Sequence, residues 1–179
     1  MVFSGSGGQG VITAAIILAE AAVLYENLTA VQSQSYGPEA RGGASKSEVV
    51  IDDGIIHYPK VRQADVVLAL TDEAFLKYAA RAKEGALVIA DLDVREESVA
   101  EVGRGLRVLR LPIVKTARED VGRSQTTNIV ALGVLNAYAR LVADEALEAA
   151  VLARVPRGTE DMNRKALVAG RELGSRNEA

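Results

Sequence analysis

Apolar positions fall into two alternating patterns along the chain. Short continuous runs read as buried strands, and longer stretches with apolar residues three and four apart read as helices. The run Met1 to Phe3 comes first, followed by a helical pattern from Gly10 to Glu26 through Val11, Ala14, Ala15, Leu18, Ala22 and Tyr25, with Asn27 as its stop. A second strand runs from Leu28 to Gln34, and the turn-rich segment Ser35 to Gly43 follows it. Residues 44 to 51 become β-branched toward their end, and Asp52-Asp53-Gly54 separates them from Ile55-Ile56-His57-Tyr58 before Pro59. The Asp-Gly pair predicts a hairpin here, with His57 on its second strand in a structural place.

Val66 to Leu70 is a continuous apolar strand, and Thr71-Asp72-Glu73 supplies the cap and acidic first turn of a helix predicted to run to about Lys83 and to end at Gly85. Two further strands follow, Leu87 to Ala90 and Leu106 to Leu111, the latter stopped by Pro112. Beyond them Thr127 to Val142 is apolar on nearly every side, Asp144 to Val155 is amphipathic, and Thr159-Glu160-Asp161 opens a terminal helix. Such an all-apolar helix needs a cover, either a partner chain or the terminal helices. The alternation predicts an α/β fold, a Rossmann-like three-layer arrangement with a mostly parallel sheet, an added β-hairpin and a helical C-terminal third, in a single domain over residues 1–179.

Composition narrows the chemistry. Apolar residues make up 49% and aromatic ones only 4%, so the core is built from Ala, Val, Leu and Ile. A net charge of -3 and a pI near 5.3, with scattered basic residues, give no footprint for nucleic acid. No run reaches the roughly 18 apolar residues of a membrane span, and the chain opens on a strand and a glycine loop rather than a signal peptide, so a cytoplasmic protein is expected. With no cysteine, disulfides, thiol nucleophiles and iron–sulfur ligation by this chain are excluded, and His57 as the one histidine leaves little for a metal site.

Gly5-Ser6-Gly7-Gly8-Gln9-Gly10 is a G-x-G-x-x-G pattern between strand and helix. Such a loop leaves amide N–H groups at the positive end of the helix dipole, where an anion can be received, although the same turn can simply join strand to helix. A dinucleotide-binding fold would carry an acid about 20 residues further on, at the end of the second strand. This chain has none there; Glu20 and Glu26 fall in or at the end of the preceding helix.

Four segments together resemble the gamma subunit of 2-oxoacid:ferredoxin oxidoreductases: Phe3 to Val11, Gln34 to Gly43, Asn128 to Gly133 and Val155 to Glu160, in that family's order. The resemblance begins abruptly, since relatives usually carry a few more residues before the first strand, so an incomplete amino terminus is an expectation. It implies an enzyme that converts a 2-oxoacid and coenzyme A to an acyl-CoA and CO2 and passes electrons to ferredoxin. Gly-Pro-Glu-Ala-Arg-Gly-Gly followed by Ala44-Ser45-Lys46-Ser47-Glu48 is closer to the 2-oxoglutarate type than to the pyruvate type. No thiamine-type Gly-Asp-Gly motif and no cysteine is present, so the resemblance implies an accessory chain. Thiamine diphosphate, magnesium and iron–sulfur clusters would then lie on alpha, beta and, where present, delta partners. A free-standing nucleotide-binding enzyme and a purely structural scaffold are the competing readings.

Within that resemblance Gly5, Gly7, Gly8, Gln9 and Gly10 are candidates for a phosphate of coenzyme A, with the Gln9 amide as an added donor. Arg41 is a candidate clamp for a phosphate or a partner carboxylate, against an ion pair with Glu39 or Glu48. Tyr36, Pro38 and Glu39 are candidates for a subunit interface, with closure of the loop over the core as the other reading of Tyr36 and Pro38. Lys46, Lys60 and Arg62 read as solvated surface or as a route for an anionic cofactor, and Asn128 as a helix cap. No residue is expected to be catalytic on this chain alone.

Overall fold

A computed structural model describes residues 1–35 and 44–176. The strands are β1 (Val2–Ser6), β2 (Thr29–Ser35), β3 (Ala44–Asp52), β4 (Ala64–Ala69), β5 (Ala82–Asp91) and β6 (Arg107–Leu111). The α-helices are α1 (Val11–Tyr25), α2 (Asp72–Ala79), α3 (Glu96–Val102), the single turn α4 (Ile113–Thr116), α5 (Thr127–Ala139), α6 (Asp144–Arg154) and α7 (Glu160–Ser175). A π-helical turn, Ala117–Val121, and a 3-10 turn, Ser124–Thr126, lead into α5. No helix among the described residues is long and apolar enough to cross a membrane.

One sheet, ordered β2-β3-β1-β4-β5-β6, forms the middle layer. β1, β4, β5 and β6 are mutually parallel, whereas β3 runs antiparallel to both β1 and β2. The period-2 geometry of the strands splits the core in two. Phe3, Leu68, Leu70 and Ile89 point to the face covered by α1, α5, α6 and α7. Val2, Val67, Ala69, Val88 and Ala90 point to the face covered by α2 and α3. The predicted three-layer α/β fold is therefore the one observed.

The hairpin is not. Asp52 accepts a hydrogen bond from the Gly54 amide at 2.8 Å, but residues 55–58 form no strand, Ile55 is 80% exposed and His57 lies in an exposed loop. Both edges of β3 are already filled, by β1 on one side and β2 on the other, so no ladder remains for residues 55–58 to join. The antiparallel pair is instead β2–β3.

The α2 helix also ends earlier than its pattern predicts. β5 must return to the start of β4, where Ala82 pairs with Ala64, and a helix continued to Lys83 would carry it past that register. The next pair is Val66 with Leu87, so Lys83 to Ala86 bulge out of the ladder, and the positive φ of Gly85 (76°) serves that bulge rather than a helix end. The helix α3, with Glu96 and Glu97 in its first turn, has no counterpart in the sequence reading. The apolar helix α5 is covered within the chain, chiefly by α7, and this settles which of the two covers it has.

Candidate functional site

The glycine loop sits where β1 gives way to α1, at the carboxyl end of the parallel strands. Its shape is held from inside. Gln9 folds back so that its side-chain oxygen accepts the Ser6 amide N–H at 2.8 Å, while its own backbone N–H donates to the Ser6 carbonyl at 3.3 Å. That return brings Gln9 Oε1 to 2.5 Å from where a Cβ on Gly5 would stand, so a side chain at Gly5 would displace the Gln9 amide from this place. Gly8 and Gly10 have φ of 91° and 72°, a region open to glycine at little cost. A Cβ on Gly10 would moreover lie 2.8 Å from Nδ2 of Asn128.

Gly7 is different. It has no positive φ, and a Cβ built on it meets nothing within 4 Å among the described residues. Among the described residues the fold therefore asks for glycine at Gly8 and Gly10, and nothing in it asks for one at Gly7. No described residue fills the space beside Gly7 and Gly8.

Helix α1 begins without a side-chain cap and without an acid in its first turn. Ala14 N–H donates to the Gly10 carbonyl, which leaves the amides of residues 11–13 as the orphan donors of the helix end. The loop thus presents uncapped donors and a positive dipole end, with no carboxylate of the helix's own first turn competing for them.

Asn128 reaches this loop from α5. It does not cap that helix: Thr126 is the N-cap, the Asn128 side-chain oxygen accepts from the Ile129 N–H at 3.0 Å, and Nδ2 donates to the Gly10 carbonyl at 3.4 Å. Sequence reasoning placed Asn128 only as a cap, because the contact spans 118 positions and leaves no local signal.

The carboxylates at the neighbouring strand ends are committed to structure. Asp72, after β4, takes the Arg95 backbone N–H at 2.9 Å and its guanidinium at 2.7 Å. Burial pushes its carboxyl up, but hydrogen bonds from Ser98 and Arg95 outweigh this and hold it down to about 2. Asp91, at the end of β5, is buried and accepts the amides of Asp93 and Val114 at 2.9 and 2.8 Å; burial pushes its carboxyl above the ordinary value despite them. Neither aspartate is free to serve as an acid or base at the loop.

A dinucleotide site fits poorly for a further reason of topology. In that fold the second strand lies beside the first, so that its terminal acid reaches the glycine loop. Here β3 stands between β1 and β2, which sets β2 two strand spacings, about 10 Å, away. The segment between Ser35 and Ala44 starts and ends at this same edge, since Ala44 pairs with Ser6. Tyr36, Pro38, Glu39 and Arg41 lie outside the described residues. Lys46, Lys60 and Arg62 are not gathered at the glycine loop but line cavities toward the amino ends of β1 and β4.

A family profile described as "Pyruvate ferredoxin/flavodoxin oxidoreductase" matches residues 1–173. The 2-oxoglutarate synthase subunit KorC of Methanocaldococcus jannaschii is 46% identical over 171 residues, covering 95% of this chain and 90% of that protein. A solved structure, the keto/oxoacid ferredoxin oxidoreductase gamma subunit of Geobacter sulfurreducens, superposes with a TM-score of 0.87 at 48% identity, over 98% of this chain and 95% of that one. The ketoisovalerate oxidoreductase subunit VorA of Methanothermobacter thermautotrophicus is 32% identical over 97% of this chain and 36% of its own length.

Proposed function

The chain belongs to the pyruvate ferredoxin/flavodoxin oxidoreductase family, and we propose that it serves there as the gamma subunit of a cytoplasmic 2-oxoglutarate:ferredoxin oxidoreductase. The observation that carries this reading is the near end-to-end identity of 46% with a 2-oxoglutarate synthase subunit, against 32% with one named for ketoisovalerate. The chain acts as one accessory domain. With no cysteine in its sequence it cannot ligate an iron–sulfur cluster, so clusters, thiamine diphosphate and magnesium belong to alpha, beta and, where present, delta partners, and ferredoxin takes the electrons from the complex.

What this chain contributes is a place for coenzyme A, whose thiol, when bound, accepts the acyl group. The uncapped amides of residues 11–13 and the open backbone at Gly7 and Gly8 suit a phosphate of that cofactor. Gln9 has its amide oxygen engaged by Ser6, which leaves Nε2 as the donor to a ligand. Arg41 supplies a second, bidentate contact to a phosphate or to a partner carboxylate. Tyr36, Pro38 and Glu39 form part of the contact with the partner subunits.

Reconstitution tests the reading. The purified chain alone should not reduce a viologen dye with any 2-oxoacid, and addition of the alpha and beta subunits should give coenzyme-A-dependent activity that prefers 2-oxoglutarate to pyruvate and 2-oxoisovalerate. Activity of the rigorously purified chain, or a preference for another oxoacid in the assembly, would overturn it. Titration of the chain with coenzyme A and with NAD separates the cofactor site from a dinucleotide site and from an empty scaffold.

A further inference from the structure

Away from the glycine loop, three cationic side chains open onto one recess: Lys46 on β3, Arg62 just ahead of β4, and Arg81 between α2 and β5. The recess measures about 140 Å3 and is walled by Val2 and Tyr78, at the amino ends of β1 and β4. Among the described residues one carboxylate faces it, and that carboxylate is occupied. Glu48 takes Lys46 Nζ on one oxygen at 2.8 Å and the Ser33 hydroxyl on the other at 3.2 Å.

The two arginines have no such partner. The Arg62 guanidinium lies 4.7 Å from the centre of the Tyr58 ring and pairs with no carboxylate among the described residues; Arg81 forms no side-chain hydrogen bond or ion pair among them. One more positive charge stands close by, since Lys77 approaches the Tyr78 ring at 5.5 Å, as Lys46 does at 5.9 Å from the recess itself. In a chain whose net charge is -3, two exposed guanidinium groups with no carboxylate partner among the described residues, beside the Lys46 ammonium, make this one cavity positive and give an anion from outside a place to dock.

We infer that this recess binds a phosphate group. Its volume equals that of four or five waters, at about 30 Å3 each, enough for a tetrahedral oxyanion with part of its hydration. Guanidinium forks match phosphate oxygens two at a time, which an ammonium cannot do. A second cleft of about 740 Å3 shares Val61 and Arg62 with the recess and adds Tyr58 and Lys60, so a phosphate held there as an ester has room for its organic part. The site lies at the opposite end of the sheet from the glycine loop and does not depend on the subunit assignment.

The full chain is titrated at low salt with sodium phosphate, with adenosine monophosphate, and with sodium chloride at matched ionic strength, following the melting temperature and the 31P line width. Phosphate should raise the melting temperature beyond the chloride control and broaden its resonance. Arg62→Ala and Arg81→Ala should each weaken that binding at least fivefold with little change in the unliganded melting temperature, and Arg81→Lys should recover part of it. Tighter binding of the nucleotide than of phosphate assigns an ester; equal binding assigns free phosphate. The inference fails if phosphate acts no differently from chloride, or if the double arginine variant responds as the parent does, which would put the anion at the glycine loop. It also fails if phosphate is ignored and the double variant no longer assembles with the alpha and beta subunits, which would give the arginines to an acidic partner surface.

Discussion

Gly133 of α5 and Gly170 of α7 face one another so closely that a Cβ built on Gly170 would lie 3.0 Å from the Cα of Gly133. A Cβ on Gly133 would meet the Leu167 carbonyl at 2.5 Å, so the two helices touch backbone to backbone. This contact explains how an all-apolar helix finds its cover inside the chain. Leu132, Leu135 and Leu167 can be fully buried around it only because both glycines lack a side chain at the crossing.

Gly133→Ala and Gly170→Ala should therefore each destabilise the fold. Overpacking a tight contact costs on the order of 1–3 kcal/mol, more where backbone is struck. In a chain of this size that lowers the melting temperature by roughly 2–12 °C. Calorimetry on the purified variants checks it, and melting temperatures within a degree of the parent would show that α5 and α7 separate easily.

Within the glycine loop the variants should divide by position. Gly7→Ala meets open space and no unfavourable φ, so its melting temperature should match the parent's. Gly10→Ala combines a φ of 72° with a Cβ 2.8 Å from Asn128, and should lose about 2 kcal/mol or more. Since Gly7→Ala leaves the fold intact, any loss of coenzyme A affinity in that variant reports a ligand packed against the loop. Denaturation midpoints and coenzyme A titrations on the two proteins supply the comparison.

Much of this architecture is written in local pattern. The alternation that sends Val67 and Leu68 to opposite faces follows from period 2, and the strand–loop–helix junction follows from Gly5 to Gly10. What sequence did not carry is competition between segments distant in the chain. Asp52-Asp53-Gly54 has the chemistry of a hairpin turn, yet β3 has no free edge once β1 and β2 have taken both. The end of α2 is set by the pairing of Ala64 with Ala82, and Asn128 meets Gly10 only because α5 docks against α1. Gly7 shows the same limit in reverse, since nothing in a G-x-G-x-x-G string says which glycine the fold itself needs.

Acid stability should carry the mark of Asp72. Its carboxyl is held down to about 2 in the fold against an ordinary value of 3.8, so its stabilising contribution is complete above pH 4 and disappears as pH falls through about 2. Asp72→Asn, which keeps an acceptor but not the charge, should be less stable than the parent at neutral pH, with the gap closing between pH 4 and pH 2. Asp91, shifted the other way, is present in both proteins and cancels in the difference. Urea midpoints measured at half-unit steps test this, and a gap that stays constant with pH would remove the Asp72–Arg95 pair as its source.

Gln9 holds the loop through Ser6 and is proposed to donate to a ligand, and one substitution can separate the two. Gln9→Ala removes the acceptor of the Ser6 amide as well as the donor Nε2, so it loosens the loop whether or not a ligand binds there. Gln9→Glu keeps an acceptor at the same reach, and a charged acceptor strengthens the Ser6 bond, so the fold should hold its melting temperature. At the same time it replaces the Gln9 Nε2 donor by a negative charge at the place proposed for a phosphate. If coenzyme A binds at the loop, the assembled Gln9→Glu enzyme should show a Michaelis constant for coenzyme A raised at least tenfold, equivalent to about 1.4 kcal/mol, with the constant for the 2-oxoacid unchanged. An unaltered constant for coenzyme A in a stable, fully assembled variant would clear the loop of the cofactor and leave it as the junction between β1 and α1.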